Sequence, residues 1–75
     1  MITLKEAYSK VSRIYAVGDI WDCGEFWLFG MAEPLDISAT AVYKENGELF
    51  RWFPPNLTDE QKRAYKRAQK VPVPA

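Results

Sequence analysis

The side chains with the greatest chemical capacity fall into two groups of opposite sign. Lys62, Arg63, Lys66, Arg67 and Lys70 share one short segment with no acid among them. Asp19, Asp22, Glu25, Glu33, Asp36, Glu45 and Glu48 dominate residues 19–48, where Lys44 is the single base. Clustered cations suit an acidic protein surface or a nucleic-acid backbone, because Lys and Arg neutralise phosphates and release counterions. The acids suit a basic protein partner, with electrostatic attraction setting on-rate and partner choice. Asp19, Asp22 and Glu25 lie close to the Cys23-Gly24 pair, but their spacing matches no calcium-binding loop, and no metal is expected. Cys23 has acids nearby on both sides, which disfavours its thiolate and argues against a reactive nucleophile.

Composition closes several other chemistries. Ten basic residues balance ten acidic ones over 75 residues, with one cysteine and no histidine. Without histidine there is no Ser-His or Cys-His pair, no imidazole base and no mixed His/Cys zinc site. Gly18, Gly24 and Gly30 are too widely spaced to cradle a phosphate. Nothing singles out two carboxylates for paired acid–base work, and so short a chain offers little depth for a substrate cleft. The expectation is a non-catalytic protein with no cofactor. A lone cysteine, an N-terminus without the layout of a signal peptide and the lack of a long apolar run predict a cytoplasmic protein with no membrane partner.

These groups need elements to hold them. Thr3-Leu4-Lys5-Glu6 has the form of a capping box, and Leu4, Ala7, Tyr8, Val11, Ile14 and Tyr15 recur at helical spacing, so a helix starts after Thr3 and ends near residues 13–15. Glu25 to Met31, bracketed by Gly24 and Pro34, reads as a central strand. Ser38 to Lys44 and Glu48 to Phe53 read as a hairpin about Asn46-Gly47, closed by Pro54-Pro55. Thr58 to Gln61 forms a second capping box, opening a helix predicted to run to about Lys70. On that helix Lys62, Lys66 and Lys70 are i, i+4 neighbours, as are Arg63 and Arg67, giving one basic surface. The predicted fold is α+β: an N-terminal helix, an antiparallel β-meander of three to four strands and a C-terminal helix, in one domain over residues 1–70 with an extended tail at 71–75.

Two features remain open in the sequence. A two-residue Asn46-Gly47 loop sets Tyr43 opposite Phe50, whereas a longer loop with Gly47 left-handed sets Val42 opposite Leu49 and turns Tyr43 outward. The central strand places Phe26 and Leu28 on one face and Trp27, Phe29 and Met31 on the other, and a single helix covers one face only. Either the second helix covers the remaining face or that face is an interface, a homodimer included.

The helix containing Glu6-Ala7, the strand Phe26-Trp27-Leu28-Phe29 and the run Ala41-Val42-Tyr43-Lys44-Glu45-Asn46-Gly47-Glu48-Leu49 resemble the YrhB-like immunity proteins, the immunity protein 35 family of bacterial polymorphic toxin systems. The resemblance spans roughly residues 2–53. Tyr43 stands where that family's hairpin carries an acid, and Asn46 where it carries threonine. The resemblance implies binding and blocking a toxin, with Val42 and Leu49 inside, and it supplies no catalytic residues. The expected function is a small protein–protein interaction module, immunity-type or inhibitory, of bacterial or phage origin, contacting its partner through Asp19, Trp21, Asp22, Glu25 and Glu33. The alternative is a nucleic-acid-binding module using Lys62, Arg63, Lys66, Arg67 and Lys70.

Overall fold

The computed structural model describes residues 1–32 and 39–74. Helix α1 (Leu4–Ser12) begins where the Thr3 hydroxyl accepts the Glu6 backbone N–H at 3.2 Å. The helix stops at Ser12, so Ile14 falls in the following turn and is exposed, outside the stripe that helical spacing predicted for it. Tyr15 folds back into the core.

Strands β1 (Val17–Asp22), β2 (Phe26–Met31), β3 (Ala39–Tyr43) and β4 (Leu49–Trp52) form the meander. Gly18 sits at an irregularity of β1 where a Cβ would meet the Ala32 Cα at 2.8 Å, so only glycine permits this approach. A 3-10 turn at Pro54–Asn56 leads to helix α2 (Asp59–Lys66), which carries the complete capping box between Thr58 and Gln61. Strand β5 (Gln69–Val71) then pairs antiparallel with β1. The sheet order is β4-β3-β2-β1-β5. The fold is α+β as predicted, with five strands in place of three to four.

The fifth strand revises the C-terminal reading. Helix α2 ends at Lys66, where the Arg67 N–H donates to the Ala64 carbonyl at 3.1 Å and the Ala68 N–H to that of Tyr65 at 3.0 Å. Lys70 therefore lies on a strand, opposite Trp21, and not on the basic helical surface. Val71 pairs with Ile20 and packs against the first core, so the sheet extends into the segment predicted as a tail. The gain is pairing for the outer edge of β1, whose N–H and C=O groups otherwise face solvent.

Two cores lie on opposite faces of the sheet. Ala7, Val11 and Tyr15 cover Ile20, Trp27, Phe29 and Val42 on the first. Ala64, with Leu57 and Ala68, packs against Cys23, Phe26, Leu28, Ala41 and Trp52 on the second. Helix α2 thus lies over the face that α1 cannot reach, with Ala64 as its one buried residue. Phe26 lies at the centre of the second core, 5.9 Å from Tyr43, 5.4 Å from Phe50 and 5.5 Å from Trp52 between ring centroids.

The hairpin adopts the longer loop. Val42 pairs with Leu49 and Ala41 with Phe50, and Gly47 has a φ of 74°. Val42 is buried, but Leu49 lies at the sheet edge and is exposed. Tyr43 turns away from α1 and onto the second face, where it stacks on Phe50 at 4.8 Å. The N-terminal segment clips this loop in place: Ile2 N–H donates to the Lys44 carbonyl at 2.8 Å, and Lys10 Nζ to that of Gly47 at 3.1 Å.

Candidate functional site

The acidic residues do not form one surface. Successive residues of a strand point to opposite faces, so Asp19 and Trp21 lie on the α2 side of β1 while Asp22 lies with Ile20 on the α1 side. Asp22 is engaged within the fold: its Oδ1 accepts from Lys44 Nζ and from the Gly24 N–H, both at 2.8 Å. Lys44, the one base of the acidic segment, sits 5.0 Å over the Trp27 ring. Asp19 pairs with Lys70 at 3.0 Å, so one member of each predicted patch neutralises the other. Trp21 is half-buried over Gly30 and packs into the second core. Glu25 is exposed, and Glu33 lies outside the described residues. Among the described residues no three Cys, Asp or Glu side chains come together as a metal-binding group.

The Asp22–Lys44 contact fixes a pH dependence. Burial raises the Asp22 pKa, but the hydrogen bonds from Lys44 and Gly24, with the charge of Lys44, outweigh it and hold the carboxyl below its ordinary 3.8. A carboxylate depressed in the folded state contributes stability that is fully present above its unfolded pKa and lost as pH falls through its folded pKa. Asp22→Asn is therefore expected to lower Tm at neutral pH, with the deficit closing below about pH 4 as the wild-type carboxylate protonates in the unfolded and then the folded chain. Melting curves of both proteins from neutral pH into acid check this, and a deficit unchanged in acid would contradict it.

The cations contribute differently. Lys62, Arg63, Lys66 and Arg67 are exposed along or just beyond α2, and no carboxylate among the described residues lies within salt-bridge distance of them. Arg63, Lys66 and Arg67 line an open groove of about 1000 Å³ between α2 and the adjacent end of the sheet. Cys23, Phe26 and Ala64 supply its buried apolar surface, and Tyr43 lines it with its hydroxyl accepting from Gln61 Nε2 at 3.1 Å. Glu25 and Glu60 are exposed along the lining. The groove thus joins one of the predicted acidic contacts, Glu25, to three of the predicted basic ones.

The Cys23 pKa is pushed up to about 11, chiefly by burial and then by the Asp22 charge, so the thiol stays protonated at neutral pH. The two carboxylates are exposed to water, without the burial that makes a general acid of a carboxyl group. The groove therefore combines an apolar floor with a charged rim. Sequence reasoning missed this groove because residues 23–26, Tyr43 and α2 meet only in the folded chain.

No helix is long and apolar enough to cross a membrane among the described residues. No family model, curated protein or solved structure matches the chain.

Proposed function

We propose that this chain is a small non-catalytic protein-binding module, immunity-type or inhibitory, whose groove beside α2 receives a segment of a partner protein. The observation that carries this reading is the pairing of the apolar Cys23–Phe26–Ala64 floor with the cations Arg63, Lys66 and Arg67. The floor accepts an apolar anchor, and the cations favour a partner segment carrying acids. Asp19 and Asp22 serve other contacts in the free molecule, so the interface proposed here keeps Glu25 from the predicted acidic set and adds the α2 cations. The resemblance of residues 2–53 to immunity proteins supports an inhibited toxin as the partner.

Capture from cells of the source organism, with wild type beside the Arg63→Glu/Arg67→Glu variant, tests this. The expected result is a stoichiometric protein partner held by wild type and weakened at least roughly tenfold in the variant, as for the loss of close charge pairs. Absence of any stoichiometric partner, or undiminished binding by the variant, would reject the groove.

Nucleic-acid binding is the second reading, favoured by the four cations Lys62, Arg63, Lys66 and Arg67, which pair with no carboxylate among the described residues. It requires a steep salt dependence, with log affinity falling by about 0.7–0.9 per log salt for each phosphate neutralised. No detectable binding of DNA or RNA at low salt would reject this second reading.

A further inference from the structure

The two edges of the sheet differ in what they offer another chain. Strand β5 has three residues and runs directly into Pro72 and Pro74, which cannot donate to a ladder. Strand β4 has four residues, and no other described strand pairs with its outer side. The orientation of its backbone follows from the register. Tyr43 N–H donates to the Glu48 carbonyl at 2.9 Å, so the Glu48 carbonyl is directed inward, toward β3. Alternation then gives Phe50 and Trp52 inward-directed backbone groups and turns the N–H and C=O of Leu49 and Arg51 outward.

We infer that β4 is a self-association edge, on which β4 of a second copy pairs antiparallel about a two-fold axis through Phe50. The strand is self-complementary in this register. Leu49 and Arg51 flank Phe50 symmetrically, so the outward groups of Leu49 in one copy meet those of Arg51 in the other. Each Arg51 then lies across from a Leu49 side chain, and its methylene stem covers a leucine that is 36% exposed in the single chain. Moving the axis to Arg51 would set two arginines directly opposite, which like-charge repulsion disfavours. On the other face the two Phe50 rings become neighbours. Each already stacks on its own Tyr43 at 4.8 Å and meets Phe26 edge-on at 5.4 Å, so pairing joins the two aromatic clusters into one. The resulting sheet has ten strands, twice the five of one chain.

Sedimentation equilibrium of the full chain at low salt, over roughly micromolar to sub-millimolar concentrations suited to a small interface, tests the pairing. Wild type is expected to show a monomer–dimer equilibrium. Leu49→Glu places a carboxylate across from Arg51 of the other copy, twice by symmetry, and is expected to tighten the dimer roughly three- to tenfold. Leu49→Lys places a cation there and is expected to weaken it by a similar factor, again roughly three- to tenfold. The exposure of Leu49 lets both variants fold, which circular dichroism verifies. A monomer at every concentration would overturn the proposal. So would substitutions that shift the equilibrium in the same direction or not at all, since a register that opposes residues 49 and 51 gives opposite signs.

Discussion

Phe29→Ala is expected to destabilise the domain by about 3–5 kcal/mol, the range for removing a large side chain from a packed core. Phe29 has no solvent exposure and belongs to the core in which Ala7, Val11 and Tyr15 meet the sheet. For a chain of 75 residues, ordinary stabilities of about 0.05–0.15 kcal/mol per residue give a total of about 4–11 kcal/mol. The substitution thus removes a large share of the total and is expected to lower Tm steeply. Urea unfolding followed by circular dichroism measures this. A loss below about 1 kcal/mol would mean that the α1 layer contributes far less than its burial implies.

The second large effect is expected from a single oxygen atom. The Tyr15 hydroxyl donates to the Phe29 carbonyl at 2.7 Å and accepts the Thr40 N–H at 2.9 Å. Phe29 and Thr40 face each other across β2 and β3, so the phenol bridges two partners of one ladder position. Tyr15→Phe keeps the ring and removes both bonds, leaving backbone groups short of a partner at a cost of about 1–3 kcal/mol. At roughly 4–8 °C per kcal/mol for a domain of this size, the fall in Tm is well within reach of a thermal melt. An unchanged Tm would show that the strands close together and form the bond directly.

The same tyrosine marks how far the sequence was legible. Its spacing from Val11 identified it as core, but nothing local reveals that its hydroxyl spans two strands. Helix starts were readable because capping is local: Thr3 and Thr58 each accept the backbone N–H of the residue three positions ahead. The division of Phe26 and Leu28 from Trp27 and Phe29 was readable too, since it follows from the two-residue repeat of a strand. Strand β5 was not. Gln69-Lys70-Val71 has no strand pattern of its own and exists because β1 offers an edge, so Lys70 was assigned to a helix by spacing alone. That one displacement also took Lys70 from the basic surface, for it carried Lys70 to Asp19. The groove was out of reach for the same reason, its lining being drawn from segments far apart in the chain.

The position of β5 also bears on the order of assembly. Strands β1 to β4 follow one another across the sheet as sequence neighbours, so their pairing requires only short loops to close. Joining Ile20 to Val71 closes a loop of most of the chain, with a correspondingly greater entropy cost before any contact compensates it. The meander with α1 is therefore expected to form early, with α2 and β5 docking onto it last. In the native protein the same asymmetry makes α2 and β5 the first unit to open, and amide hydrogens there should exchange faster than those of β2 and β3. Since α2 forms one wall of the groove, this late-docking unit is also the part of the molecule best able to adjust to a bound segment.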